Sequence, residues 1–168
     1  MREGTYHLAQ VNIARMLAPL DSPEMAGFVA MLDEINALAD ASPGFIWRLA
    51  GEQGNATYLR PYDDERILFN LSVWESVEQL KAYMYKTGHG DVMRRRREWF
   101  ARMDGPYVVL WWVPAGHIPT VGEAKQRLEY LREHGESAHA FSLKRTFAPS
   151  DAEGILPVAL RVRPCPAT

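Results

Sequence analysis

The chain has one cysteine, Cys165, in 168 residues. A single thiol rules out an internal disulfide and any zinc cluster built on paired cysteines, and it fits a reducing cytoplasm, the expected location. There is no run of about 18 apolar residues, and no charged-then-apolar leader precedes the first strand-like pattern. Neither a membrane span nor a secretory signal is expected. The formal net charge of -2 supplies no overall electrostatic reason to bind nucleic acid or an anionic membrane. The expected partners are a small-molecule ligand and a second copy of the chain. P-loop, G-x-G-x-x-G, G-x-S-x-G and H-E-x-x-H signatures are missing, as are internal repeats, low-complexity segments and a metal-ligating cluster.

What the chain does contain is a composition of 47% hydrophobic and 24% charged residues, that of a soluble globular protein. Its length fits one domain, taken as residues 1–148, with a Pro- and Ala-rich tail at 149–168. Two strand-like runs, Tyr6 to Ile13 and Ile67 to Trp74, alternate apolar residues with amides and hydroxyls. Side chains of a strand point to opposite faces with period two. Ala9, Val11 and Ile13 therefore share an apolar face with Ile67, Phe69, Leu71 and Val73 once the strands pair, and His7 lies in the same row. The other face mixes Tyr6, Leu8, Gln10 and Asn12 with Leu68, Asn70, Ser72 and Trp74. A solvated face would carry Lys, Glu or Thr, so this mixed face predicts a semi-buried, polar-lined cavity.

Ser22 and Pro23 open a helix whose apolar residues, Met25 to Ala39, recur at helical spacing until Ser42, Pro43 and Gly44. A strand from Phe45 to Leu49 follows. The segment from Gly51 to Glu65, carrying Tyr58, Arg60 and Tyr62, reads equally as a lid or a surface excursion. A second helix runs through Val77, Leu80, Met84 and Tyr85, and a third is expected from Asp91 to Met103. Tyr107 to Val113 reads as a buried strand, Thr120 to His134 as a capped amphipathic helix, and His139 to Phe147 as one more strand. The order strand, helix, strand, strand, helix, strand is the ferredoxin-like βαββαβ unit, an α+β fold. In it the first and third strands are central neighbours, which brings Gln10 and Asn12 beside Asn70 and Ser72. With the helices expected on the apolar face, a second subunit becomes the expected cover of the mixed one.

The motifs HLAQVNIA, SPGFIWRL, NLSVWES, YKTGHGDVMRRRREWF and LWWVPAGHIPTVGEA, spread from Tyr6 to Phe147, together resemble the domain of unknown function 3291 family of the dimeric α/β-barrel superfamily. That superfamily includes antibiotic-biosynthesis monooxygenases, haem-degrading monooxygenases, spheroidene monooxygenase and polyketide cyclases. The resemblance implies a homodimer with a ligand pocket between sheet and helices in each protomer. It implies no particular reaction.

Several residues then become candidates. Asn12 is similar in position to a strand-one amide that some of these monooxygenases use to hold oxygen or substrate; a hydrogen-bonded core amide is the alternative. Gln10, Asn70, Ser72 and Trp74 would bind substrate, indole joining apolar area to one donor. Arg96 falls in the apolar stripe of the third expected helix, and a guanidinium there needs either a structural partner or an anionic ligand. Arg94, Arg95, Arg97 and Arg102 read as a solvated face. His89, between Gly88 and Gly90 in an expected turn, reads first as a solvent-facing or hydrogen-bonding residue; the alternatives are that it moves a proton or, by the resemblance, holds a haem. Trp111 and Trp112 read as core, His117 and His134 as surface groups.

Two functions remain open: an enzyme, monooxygenase-like and either cofactor-free or haem-dependent, or a dimer that binds a small ligand or partner without turnover. The haem version predicts a Soret band when haemin is added to the purified protein, abolished in His89→Ala. No band in either protein would end it.

Overall fold

A computed structural model of the chain describes residues 6–50, 62–86 and 94–152. The first alternating run extends further than expected, as strand β1 (Tyr6–Met16), and the rest of the sheet is hung on it. After a 3-10 turn at Pro23–Met25 come helix α1 (Ala26–Asp40), β2 (Phe45–Arg48), β3 (Ile67–Trp74) and α2 (Val77–Lys86). These are followed by α3 (Arg96–Trp99), β4 (Phe100–Ala101), β5 (Val108–Pro114), α4 (Val121–His134) and the four-residue α5 (Pro149–Ala152). All pairings are antiparallel, in the order β2-β3-β1, and both β5 and β4 pair with β1. Strand β5 accompanies Tyr6 to Asn12, and β4 the last two residues, Arg15 and Met16. The βαββαβ order and its central β1–β3 pair are as the alternation predicts. Gln10 lies opposite Ser72 and Asn12 opposite Asn70.

The helices are distributed differently from the expectation. Helices α1 and α2 cover the mixed face: Leu8, Trp74, Leu110 and Trp112 pack with Ala39 of α1 and with Val77, Leu80 and Tyr83 of α2. The apolar face is covered by α4, whose Ala124, Leu128 and Leu131 meet Ala9, Val11, Phe69 and Trp111. Period two says which residues share a face and is silent on which face a crossover helix will choose. Large apolar groups at the ends of the mixed face supply enough area to seat two helices. Neither face is left bare, so a second subunit is not required to cover the sheet.

Two further expectations are corrected. In the expected third helix, residues 91–93 lie outside the described segments, and the helix ends at Trp99. Phe100 turns to extended backbone and pairs with Met16, joining Met25, Phe28 and Trp99 in a third apolar cluster. Burying Phe100 against β1 outweighs continuing the helix. The stretch 139–147 is not a strand but a folded segment with isolated bridges, of which Leu110–Phe141 ties it to the outer edge of β5. The tail begins with α5, and residues 153–168 lie outside the described segments. No helix among the described residues is long and apolar enough to cross a membrane.

Helix α4 starts where a Thr-x-x-Glu capping pattern places it, Thr120 Oγ1 accepting from the backbone N–H of Glu123 at 3.1 Å. It stops at Gly135, whose φ of 75° lies in the left-handed region. Its Arg127 is only 4% exposed and has no carboxylate within ion-pair distance among the described residues. The guanidinium donates instead to the carbonyl of His139 at 2.7 Å and to His139 Nδ1 at 3.0 Å. A guanidinium only donates, so Nδ1 must accept and the imidazole is neutral with its proton on Nε2. Burial first, and the Arg127 charge second, push the His139 pKa down to about 4.

Between the ordinary value of 6.5 and about 4, the unfolded chain takes up a proton that the folded chain refuses. Stability contributed by neutral His139 is therefore full above the unfolded value and is lost as pH falls through this window. Urea midpoints of the wild type are expected to drop between about pH 7 and pH 5, ahead of carboxylate titration. In His139→Asn, where an amide oxygen replaces Nδ1, that drop should flatten; equal slopes in both proteins would assign the effect elsewhere.

Candidate functional site

The mixed face carries a chain of hydrogen bonds that runs across the central strand pair. Asn12 Nδ2 donates to Gln10 Oε1 at 3.0 Å, and Gln10 Nε2 donates to Ser72 Oγ at 3.0 Å. Trp74 Nε1 donates to the same oxygen at 2.9 Å. A hydroxyl has two acceptor lone pairs and one proton. Ser72 spends both lone pairs on Gln10 and Trp74, so its own proton is the group left to donate. Gln10 is 4%, Ser72 7% and Trp74 1% exposed, which makes this network a buried one with Asn12, half-buried, at its wetter end. Asn70, opposite Asn12, is exposed and stands outside the chain of bonds.

Helices α1 and α2 roof these residues to form a cleft of about 30 Å³. That is room for about two water molecules, well short of the hundreds of cubic ångströms that a drug-sized ligand fills. Gln10, Asn12, Asn70, Ser72 and Trp74 all line it, so the structure brings five of the seven sequence candidates together. Arg96 is not among them. It is half-buried at the start of α3, with its guanidinium 4.3 Å from the Tyr107 ring centroid. His89 lies outside the described residues, as do Tyr58 and Arg60.

The cleft also holds groups that the sequence reading missed. Arg48 lines it and makes a two-pronged ion pair with Asp40 of α1, Nε to Oδ1 at 2.7 Å and Nη2 to Oδ2 at 3.2 Å. Strict alternation from Phe45 would put Arg48 on the opposite face from Phe45. A bulge intervenes: Phe45 pairs with Trp74, Trp47 with Val73 and Arg48 with Ser72, with the register shifting between Phe45 and Trp47. One extra residue, Ile46, thus delivers both Phe45 and Arg48 to the cleft side. Nothing in a four-residue strand announces a bulge.

Tyr83 was legible, since it follows Leu80 by one helical step of three residues; Tyr85, counted in that stripe, is instead 70% exposed. The Tyr83 ring stacks on Trp74 at 5.1 Å and its hydroxyl donates to the Ile35 carbonyl at 3.3 Å. Burial, partly offset by the Arg48 charge, pushes its pKa up to about 12, so it is a neutral donor at ordinary pH. Phe45 meets Trp74 edge-on at 5.5 Å and completes the aromatic wall. Trp111 and Trp112 are core, as expected, with indole N–H groups on Glu123 and the Phe147 carbonyl. His117, read as a surface group, is half-buried and bonds Glu123 at 2.9 Å. Among the described residues no cluster of three His, Cys, Asp or Glu side chains is placed to hold a metal.

Chemically, the cleft can offer neutral N–H and O–H donors from Asn12, Asn70 and Ser72 beside one half-shielded cation, Arg48. Such a lining suits a small molecule carrying oxygen or a delocalised negative charge. Removing the Ser72 oxygen would orphan two buried donors, each costing about 1–3 kcal/mol. Ser72→Ala should therefore lower unfolding stability by about 2 kcal/mol or more, and Asn12→Ala, which orphans the one acceptor Gln10 Oε1 at the wetter end, by a smaller amount of about 1 kcal/mol. Urea denaturation of the two variants checks this ordering, and equal losses would contradict it.

Residues 7–155 match the model of a family described as a domain of unknown function, DUF3291. No curated protein matches the chain. Among solved structures, a mutant of SnoaB, a cofactor-independent oxygenase from Streptomyces nogalater, aligns with a TM-score of 0.44 at 16% identity, covering 67% of this chain and 95% of its own. A candidate antibiotic biosynthesis monooxygenase from Chloroflexus aurantiacus gives the same TM-score, 0.44, and 16% identity, with 69% and 99% covered. A Nitrosomonas europaea protein of unknown function gives a TM-score of 0.40 at 13% identity, with 71% and 99% covered. The family match spans well over half of the sequence and includes every element of the sheet: the chain belongs to the DUF3291 family.

Proposed function

We propose that the protein is a small-molecule-transforming enzyme of monooxygenase-like character, working without a cofactor in the cleft between the mixed sheet face and α1–α2. One observation carries this reading: a buried amide–hydroxyl–indole chain ends at Asn12 on a cleft that also holds the Arg48 cation. No step is routed through a haem, whose candidate holder, His89, lies outside the described residues. A cleft of about 30 Å³ admits an aromatic substrate only when α1 and α2 part from the sheet, and this reading includes that opening.

The suited substrate has an acidic C–H beside a carbonyl or phenol, so that its anion spreads charge onto oxygen. Asn12, Asn70 and the Ser72 hydroxyl hold that oxygen, Trp74 walls the ring, and Arg48 stabilises the negative charge. His89 is the proposed proton carrier. The anion reduces O2 directly: an activated CH2 becomes C=O, one oxygen atom enters the product, the other leaves as water with the two hydrogens, and the substrate supplies all four electrons. Both this reading and the next take the protein as a cytoplasmic homodimer.

The second reading is non-enzymatic binding of a small ligand. It is favoured by the mutual satisfaction of Gln10, Ser72 and Trp74, which leaves few free groups for chemistry. An oxygen electrode separates the two, with anthrone as the probe. Oxygen uptake above the uncatalysed rate, reduced about tenfold or more in folded Asn12→Ala, is the expected result. Thermal stabilisation by the probe without uptake would establish binding alone; neither signal would remove the cleft as a site for this class of molecule.

A further inference from the structure

A second, larger cavity lies outside the cleft. It is a groove of about 650 Å³ at the α3–β4 turn, sharing no lining residue with the cleft. Arg96, Arg97 and Arg102 line it together with Phe100, Met103 and Tyr107. Its size falls within the range of small-molecule sites.

The three guanidiniums have no acidic partner among the described residues. Their neighbour Arg95 is already engaged, 2.7 Å from a Glu98 carboxylate oxygen and 4.6 Å from the Trp99 ring centroid. Arg96, Arg97 and Arg102 have no ion pair among the described residues, and the one contact that holds any of them is the stacking of Arg96 on Tyr107 at 4.3 Å. In a chain of net charge -2, three cations around one concavity, unpaired among the described residues, make a local positive field against the overall sign. Stacking fixes the Arg96 fork, which lowers the entropy lost when it binds an anion; Arg97 and Arg102 are exposed and reach the same space. Phe100 is buried, and Met103 and Tyr107 are half-buried, so the groove also offers a soft aromatic and thioether wall. A purely solvated basic face needs no such wall.

We propose that this groove is a binding site for a planar aromatic anion, a phosphate or carboxylate held by the arginine forks with its ring against Tyr107 and Met103. The site is independent of the cleft chemistry proposed above.

Calorimetry with 1-naphthyl phosphate, 1-naphthoate, inorganic phosphate and 1-naphthol tests it. Saturable binding of at least one aromatic anion is expected, about tenfold or more tighter than inorganic phosphate or the neutral naphthol, and weakening as salt is raised. The comparison of naphthyl phosphate with naphthoate decides which anion is preferred. Arg97→Gln/Arg102→Gln, two exposed positions whose change leaves the core intact, should weaken binding about tenfold. Arg96→Lys, which keeps the charge and loses the planar fork, should weaken it also. Asn12→Ala, in the other cavity, should leave it within about twofold. Absence of saturable binding, or binding that survives the arginine changes or is lost in Asn12→Ala, would overturn the proposal.

Discussion

The antiparallel pairing of β1 with β3 is the constraint on which the rest depends. It sets Gln10 against Ser72 and Asn12 against Asn70, and it aligns two apolar rows on the opposite face. A slip of one residue would turn every side chain of β1 over, sending Ala9, Val11 and Ile13 to the polar network and Gln10 and Asn12 into the aliphatic core. The first deprives Ser72 of its Gln10 partner, and the second strands amides in oil. The hydrogen-bonded chain through Ser72 therefore does more than furnish a cleft, because it makes the wrong register costly. Buried polar groups act here as an address for the strands.

Legibility followed the physics of each element. Strands β1, β3 and β5 and helix α4 could be read because a single periodicity with clear punctuation decides them, and the network partners followed from the βαββαβ order. What escaped was whatever depends on long-range competition. The choice of sheet face by α1 and α2 turns on the summed area of Leu8, Trp74, Leu110 and Trp112, which no local window contains. The termination of α3 at Trp99 turns on an edge of β1 more than eighty residues earlier in the chain. Arg48 reached the cleft through a bulge, and its partner Asp40 lies across a turn. Family membership was visible in scattered motifs, whereas a reaction was not, since amides and hydroxyls serve folding and chemistry with the same geometry.

Charge is handled differently on the two sides of the sheet. On the cleft side, Arg48 meets Asp40 in a fork-to-fork pair that is half open to water. On the α4 side, Arg127 is sealed among a carbonyl, an imidazole nitrogen and the Trp111 indole, 6.0 Å away. The first arrangement leaves its carboxylate open to solvent. The second is committed to structure, tying α4 to the segment that follows it.

That following segment covers an edge of the sheet. Strand β5 reads VVLWWVP, a run of high β-propensity without charge, the composition of an aggregation-prone strand. One side is paired with β1; on the other, the Leu110–Phe141 bridge, closed by reciprocal backbone bonds of 2.7 and 3.0 Å, is what the described chain places on the edge. A sticky edge is thus shielded by residues that leave the ribosome after it. During synthesis there is an interval in which VVLWWV has emerged and its shield has not, and the speed with which residues 137–147 fold back sets how long a nascent chain can recruit a neighbour.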